Sequence, residues 1–224
     1  MKITQDQIQQ NKDFSASFRE NKYFVLKSFL TDPLLTVAYK YALMKAKTGK
    51  TKRGDSQVPE TPILNYDLLM ETLLEEVRPK VELAIDTKLY PTYAYGRIYK
   101  KGDILERHKD RPACEVSLTL TLGSDGSTKW PIYMNGAKGI SEIYLDCGDA
   151  LVYRGCEVEH WRESFGGEHQ VQVFLHYVEQ NGSNAEWKFD KRRQLGTGKQ
   201  FKFKYVMRYL QIQVKRYGIF RKGT

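Results

Sequence analysis

The sequence predicts an α+β fold whose core is a double-stranded β-helix, or jelly roll, with N-terminal helices packed on one sheet. Three observations support this prediction. Apolar residues recur at helical spacing in the N-terminal part of the chain, short strand-like segments follow from residue 93 onwards, and Gly-containing turn signals separate those segments. A chain of 224 residues is long enough to bury a substantial core, and one domain is the simplest organisation.

The N-terminal part of the chain combines a polar segment, a strand and two helices. Residues 1–20 are a polar N-terminal segment, and the apolar alternation of YFVLKSFL over 23–30 predicts a strand. A helix is expected over 33–47, and leucines and valines four residues apart predict a second helix over 66–86. Pro79 should kink or divide that second helix.

Strand signals dominate the next part of the chain, so the jelly-roll domain is assigned to residues 21–185. Each segment is short and is followed by a turn containing Gly, Asn or Asp. The predicted strands are TYAYGRIY, DILERHKD, CEVSLTLTL, KWPIYM, ISEIYL, ALVYRG, EVEHWRE and HQVQVFLHYV.

The net charge of +9 belongs to the C-terminal end of the chain. Residues 184–224 contain 12 Lys and Arg against two acidic residues, which leaves 24 basic and 25 acidic residues in the remainder. Residues 186–224 therefore form a basic, aromatic C-terminal extension. Basic residues among aromatic ones suit an RNA or single-stranded nucleic-acid surface, a membrane-surface helix, or a terminal helix docked on the domain.

Cysteine usage and hydropathy indicate a cytoplasmic protein. Cys114, Cys147 and Cys156 are odd in number and lack CxxC spacing, so they predict neither a disulfide framework nor a zinc site. No apolar run approaches the roughly 20 residues of a transmembrane helix. The polar N-terminus also lacks the apolar region of a signal peptide.

A His-x-Asp pair, His108 and Asp110, is the strongest functional signal. Residues i and i+2 of a strand point to the same face, so this imidazole and this carboxylate can reach one metal ion. His160, on a later strand, would complete a 2-His-1-carboxylate triad, the ligand set of non-haem Fe(II) oxygenases. Such pairs also occur as solvated surface dyads, but all four histidines of the chain lie between residues 108 and 176, which favours a site.

These residues carry a family resemblance. The run Tyr99-x2-Gly102-x5-His108-x-Asp110, the segment GDALVY over 148–153 and His160 resemble the Fe(II)/2-oxoglutarate dioxygenases of the prolyl 4-hydroxylase type, especially small phage and bacterial members. The resemblance covers roughly residues 20–185. It implies that His108, Asp110 and His160 bind Fe(II), that 2-oxoglutarate and O2 are cosubstrates, and that ascorbate stimulates turnover. A viral member would work in the cytoplasm of the host cell.

The resemblance also implies where 2-oxoglutarate binds. Tyr99 matches a family tyrosine that faces the cosubstrate, although a strand aromatic in the core is an alternative interpretation. The family usually places a Lys or Arg nine or ten residues after the second histidine ligand, to bind the 5-carboxylate. His169 and Gln170 occupy those positions here, and we expect His169 to be the anchor.

Two arginines are the alternatives to His169. Arg162 lies two residues after His160 and therefore faces the same side of its strand, where it could bind a ligand or pair with Glu159 or Glu163. Arg97, on the strand that carries Tyr99, is the other candidate.

The expected activity is hydroxylation of a C–H bond, with a prolyl or other side chain of a peptide or protein as the leading substrate. Two other functions remain open: a nucleic-acid-modifying oxygenase with the same iron centre, which the basic extension suggests, and a non-catalytic jelly-roll binding module. Iron-dependent formation of succinate would separate both oxygenases from the binding module.

Overall fold

The computed structural model describes residues 5–126 and 128–198. Its helices are α1 (Gln5–Glu20), α2 (Leu34–Lys47) and α3 (Leu68–Ile85). The two predicted helices therefore form, and α3 continues through Pro79 without being divided.

Helix α1 occupies the segment that the sequence predicted only as polar. Two aromatic residues one helical turn apart, Phe14 and Phe18, face the core and contact Phe24 with ring centroids 5.0 and 6.0 Å apart. Phe18 is 2% exposed. Because most of residues 9–20 are polar and at least partly exposed, the sequence of this segment did not predict the helix.

In the described residues, ten strands make two antiparallel sheets. The six-stranded sheet has the order β1-β8-β5-β10-β3-β2, and the four-stranded sheet has the order β4-β9-β6-β7. The strands are β1 (Tyr23–Leu26), β2 (Ile63–Asn65), β3 (Leu89–Lys100), β4 (Leu105–His108), β5 (Val116–Ser124), β6 (Ile132–Gly136), β7 (Gly139–Ile143), β8 (Ala150–Tyr153), β9 (Glu159–Arg162) and β10 (His169–Glu179). The prediction of an α+β fold with a strand-rich C-terminal part is confirmed, and β2 is a short strand that it did not include.

The three helices cover one face of the six-stranded sheet. On β5, Leu118, Leu120 and Leu122 join the core cluster that contains residues of all three helices. Because strand residues alternate between faces, Ser117 and Thr119 point to the opposite face, towards the four-stranded sheet. Both hydroxyl residues are fully buried, so the interior between the two sheets is partly polar.

Residues just past the predicted domain boundary at 186 pack on the domain. Arg192 Nη2 lies 2.6 Å from Glu71 Oε1, and their side chains are 1% and 2% exposed. Asp190 accepts hydrogen bonds from Arg111 Nη1 at 2.7 Å and Tyr66 Oη at 2.9 Å. Residues 190 and 192 of the predicted extension thus contact the jelly-roll part of the chain, and residues 199–224 of that extension lie outside the described residues.

We expect Arg192→Met to lower the free energy of unfolding by about 3–5 kcal/mol, because it leaves the Glu71 carboxylate buried without its counter-charge. Thermal or urea unfolding would measure this. Arg193→Met is the matched control, since Arg193 is exposed and the same charge is lost there. Equal stability of the two variants would show that residues 185–198 do not depend on this ion pair for docking.

Candidate metal centre and active site

Two neighbouring strands of the four-stranded sheet bring the predicted metal ligands together. His108 at the end of β4 is the direct cross-strand partner of His160 on β9. The Nε2 atoms of His108 and His160 lie 3.7 and 3.8 Å from Asp110 Oδ1. One ligand atom from each of the three residues therefore fits around a single ion, as the sequence predicted.

Both imidazoles are oriented by backbone carbonyls. His108 Nδ1 lies 2.7 Å from Glu106 O, and His160 Nδ1 lies 3.0 Å from Val158 O. A carbonyl oxygen can only accept, so each Nδ1 carries the proton and each Nε2 keeps its lone pair for a metal. Burial also lowers the pKa of His160, which favours the neutral, metal-binding form.

Asp110 is held so that a single oxygen faces the two histidines. Ser117 Oγ donates to Asp110 Oδ2 at 2.9 Å, and the Asp110 backbone N–H donates to Gly155 O at 2.9 Å. Because Oδ2 is engaged by Ser117, Oδ1 is the oxygen available to an ion. The carboxylate is arranged as a monodentate ligand.

A second histidine-containing group shares Asp110 with the first. Cys114 and His176 each place a potential ligand atom near this carboxylate. Burial raises the pKa of the Cys114 thiol well above its usual value, and it lowers the pKa of His176 to about 4. His176 Nδ1 is already 2.9 Å from Ser117 Oγ, so this group supports Asp110 more readily than it binds an ion.

The cavity next to the three ligands is lined mainly by aromatic and charged side chains. It contains the metal ligands together with Asp55, Gln57, Tyr93, Tyr95, Arg97, Tyr99, Leu105, Tyr153, Phe174 and His176. Tyr99 is fully buried, and its hydroxyl has no hydrogen-bond partner. An unpaired buried hydroxyl costs free energy, so this cavity is suited to a polar ligand.

Arg162 is buried close enough to Tyr99 to interact with it electrostatically, and part of its guanidinium has no hydrogen-bond partner. Its Nη1 donates to Trp130 O at 2.8 Å, and its carbon Cζ lies 4.6 Å from the centre of the Trp130 ring. Nε and Nη2 have no partner, although the residue is 1% exposed. Nε and Nη2 form one edge of the planar guanidinium, the edge that grips a carboxylate with two parallel hydrogen bonds.

The charge of Arg162 persists in this setting. Burial lowers its pKa to about 10, which still leaves the guanidinium protonated at neutral pH. A buried and permanently charged donor pair without an acceptor is a strong physical indication of an anionic ligand.

Solved structures with a similar fold include several oxygenases. A prolyl 4-hydroxylase from Pseudomonas putida is 15% identical with a TM-score of 0.62, over 75% of this chain and 97% of that one. A prolyl hydroxylase from Trichoplax adhaerens, in complex with a peptide fragment of the hypoxia inducible factor oxygen degradation domain, is 13% identical with a TM-score of 0.64, over 85% and 98%. A 2OG-Fe(II) oxygenase family member from Burkholderia pseudomallei is 14% identical with a TM-score of 0.58, over 78% and 93%.

The chain has the fold of the 2-oxoglutarate- and iron(II)-dependent oxygenases. No protein-family model matches the sequence, and no curated protein matches it significantly. Within the described part of the chain, no helix is both long and apolar enough to cross a lipid bilayer.

Within this oxygenase fold, the structure contradicts the prediction for His169. Its Nε2 lies 2.7 Å from the Tyr39 hydroxyl of α2, and the two rings are stacked. His169 shares the helix-covered face of β10 with Val171 and Val173, whereas the cavity lies on the face that carries Phe174 and His176. The sequence established that His169 and His176 face opposite sides, but it did not show which side holds the cavity.

The other predicted cosubstrate residues, Tyr99 and Arg162, both lie between the two sheets of the oxygenase fold. The alternatives Arg97 and Gln170 also face this interior, where Gln170 donates to Gln172 Oε1 at 3.2 Å. Ser117 and Gly155 are contacts of the metal site that sequence reasoning missed. The alternation of hydroxyl and apolar residues on β5 was the available signal for Ser117; nothing in the sequence marked Gly155.

Gly155 leaves the space that Asp110 occupies. A Cβ atom at this position would overlap Asp110 Oδ2 and Cys114 O and would lie 2.8 Å from Ser117 Oγ. We expect Gly155→Ala to weaken Mn(II) binding by about 10- to 100-fold, the usual effect of disturbing an outer-shell partner. Calorimetry would measure this, with Gly198→Ala as control because no atom lies within 4 Å of a Cβ there. Unchanged affinity in Gly155→Ala would mean that Asp110 is free to move.

Proposed function

We propose that this protein is an Fe(II)/2-oxoglutarate-dependent oxygenase with a double-stranded β-helix core. The observation that carries the proposal is the pairing, between the same two sheets, of a His-Asp-His ligand set with a buried arginine whose carboxylate-gripping edge has no partner. Both features are needed by an enzyme that holds a metal ion and a dicarboxylate. Neither is needed by a non-catalytic binding module.

His108, Asp110 and His160 would hold Fe(II). Two neutral imidazoles and one carboxylate leave ligand positions open on a six-coordinate ion, as oxygenases of this class require. The bound iron, with 2-oxoglutarate and O2, would supply the oxidising equivalents that insert one oxygen atom into a C–H bond and the other into succinate, with release of CO2. We expect ascorbate to stimulate turnover by keeping the iron reduced.

Arg162 and Tyr99 would bind the 5-carboxylate of 2-oxoglutarate. Arg162 offers Nε and Nη2, and Tyr99 offers a hydroxyl donor, in a water-excluded setting where such bonds are strong. In the family, the basic residue that binds the 5-carboxylate usually lies on the strand that follows the second histidine ligand. Here we assign that role to Arg162, which lies only two residues after His160. This assignment also removes the need for a cation at Gln170.

A prolyl or other side chain of a peptide or protein is our proposed target. The support is the likeness to two prolyl hydroxylases, one of them holding a peptide fragment, and a cavity rich in tyrosine and phenylalanine, which suits an apolar ring. The basic residues that suggested a nucleic-acid target are mostly in 199–224, outside the described residues. No contact described in the domain favours that alternative.

The test is the metal-dependent conversion of 2-oxoglutarate. Purified protein with Fe(II), ascorbate and O2 should form succinate slowly without a prime substrate, and omission of iron should stop it. Calorimetry with Mn(II) and 2-oxoglutarate runs alongside, because it reports on the site even if turnover needs the prime substrate. Absence of both 2-oxoglutarate binding and succinate formation would refute the proposed function.

A further inference from the structure

Arg97 is a second buried arginine with free donors, and it lines the cavity directly. Its Nη2 donates to Asp55 Oδ2 at 2.7 Å, while Nε and Nη1 have no partner. Arg97 is 2% exposed and shares the cavity wall with His108, Asp110 and His160. The docking of residues 53–60 over β3 therefore accounts for only part of its hydrogen-bonding capacity.

The position of this guanidinium is fixed before any ligand arrives. Its Cζ lies 5.3 Å from the ring centre of Tyr95 and 5.4 Å from that of Tyr99. Asp55 is fixed in turn, because its Oδ1 accepts the backbone N–H groups of Gln57 and Val58. Its Oδ2 also accepts the Tyr95 hydroxyl at 2.7 Å. Donors held in place in this way lose little entropy when they bind an acceptor.

The free donors of Arg97 differ from those of Arg162. Nε and Nη1 are not on one edge of the guanidinium, so they cannot grip one carboxylate with two parallel bonds. They suit separate single-atom acceptors, such as the carbonyl oxygens of a peptide backbone.

The charges around the cavity decide between a neutral and an anionic substrate. Arg97, Asp55 and Asp110 line the cavity, and Arg162 is buried behind it, where it interacts electrostatically with the cavity residue Tyr99. With a divalent ion bound, the two arginines and the ion are opposed by the two carboxylates, which leaves two positive charges. The two carboxylates of 2-oxoglutarate would neutralise them. A further anion would then enter a low-dielectric site without a counter-charge, which is costly.

We propose that Arg97, fixed by Asp55, is a substrate-recognising residue that selects uncharged, carbonyl-bearing chain, such as peptide backbone, and disfavours carboxylates. This inference rests on the proposed function and adds the feature that determines specificity. Asp55 contributes the negative charge that makes the site neutral once the metal ion and 2-oxoglutarate are bound. Arg97 contributes the N–H donors that form hydrogen bonds with the carbonyl groups of the substrate.

The experiment compares two probes that differ in one charge, N-acetyl-alanyl-prolinamide and the matching free acid. Protein loaded with Mn(II) and 2-oxoglutarate is titrated with each probe, and binding is read from the paramagnetic broadening of the probe's proton resonances. We expect wild type to prefer the amide. Arg97→Lys should weaken amide binding at least about 10-fold and should leave the 2-oxoglutarate Kd within about 2-fold, because Lys keeps the charge but lacks the fork of donors.

Asp55→Asn is the second variant, and it keeps the size and the acceptor oxygen of Asp55. It should shift the preference towards the free acid, because the loaded site then carries one uncompensated positive charge. Arg107→Lys is the control on an exposed arginine outside the cavity lining. Probe binding that is equal in wild type and Arg97→Lys, or no binding of either probe to loaded wild type, would overturn the inference.

Two further outcomes are distinguishable from these. If Arg97→Lys loses 2-oxoglutarate affinity as strongly as probe affinity, Arg97 belongs to the cosubstrate site and the inference fails. If wild type binds neither Mn(II) nor 2-oxoglutarate, the proposed function itself fails, and the specificity inference falls with it.

Discussion

Arg162→Met is expected to raise the stability of the ligand-free protein and to weaken 2-oxoglutarate binding at the same time. Arg162 is a fully buried cation with two free donors, so a side chain of similar length without charge removes an unfavourable term from the free energy of folding. In the complex with 2-oxoglutarate, the same change leaves the 5-carboxylate of the cosubstrate without its charged partner. That loss costs about 2–5 kcal/mol for buried charged pairs, which corresponds to a Kd raised by at least roughly 30-fold.

Calorimetric titration of 2-oxoglutarate into the Mn(II)-loaded protein measures the affinity, and thermal unfolding without cosubstrate measures the stability. The matched control is Arg192→Met, in which another buried arginine is lost, but from a complete ion pair with Glu71. That control should lose stability and keep its 2-oxoglutarate affinity. If Arg162→Met instead loses stability and binds 2-oxoglutarate normally, Arg162 is a structural residue and another group anchors the cosubstrate.

The sequence pointed to His108 and Asp110 as candidate metal ligands because their spacing matches the period of a strand. A His-x-Asp pair needs only the two-residue period of a β-strand to place both side chains on one face. The pairing of His108 with His160 across β4 and β9 could not be derived from that period, since it depends on which strands become neighbours. The clustering of the histidines in one part of the chain and the family resemblance were the hints of it.

The position of the cosubstrate anchor could not be predicted for a related reason. The two-residue period of a strand gives only relative orientation, so it placed His169 and His176 on opposite faces of β10. The helices decide which face is which: they cover the face that carries His169, and the cavity lies on the opposite face. Arg162 was visible as a candidate because it shares the face of His160. That Nε and Nη2 of Arg162 lack partners follows only from its three-dimensional contacts, in which Nη1 alone donates to Trp130 O.

Local patterns also missed what long-range contacts create. Within residues 9–20 of α1, Phe18 is buried and Phe14 packs partly buried against Phe24, so a mostly polar segment still contributes to the core. Residues 190 and 192 likewise form ion pairs with residues far away in the chain. In the structure, Asp55 turns inwards to Arg97, and Arg53 pairs with Glu60 on the surface.

Loss of the Asp110 carboxylate should have the largest effect on activity. In Asp110→Asn the size of the side chain and an acceptor for Ser117 are retained, but the only negative ligand of the proposed triad is gone. We expect the Mn(II) Kd to rise at least about 100-fold and iron-dependent succinate formation to fall below detection, because the two remaining imidazoles are neutral ligands. Asp146→Asn, an exposed carboxylate with a side chain 75% exposed, is the control and should behave like wild type.

Because Asp110 belongs to both groups of potential ligands, that variant alone does not distinguish them. His160→Ala removes a ligand from the first group, and His176→Ala removes one from the second. If the triad is the metal site, His160→Ala should lose Mn(II) binding as completely as Asp110→Asn, since a coordinating nitrogen disappears. His176→Ala should weaken binding by only about 10-fold, because His176 acts through Ser117 on the orientation of Asp110. The reverse order of the two histidine variants would place the ion between Asp110, Cys114 and His176 and would overturn the assignment of His108 and His160.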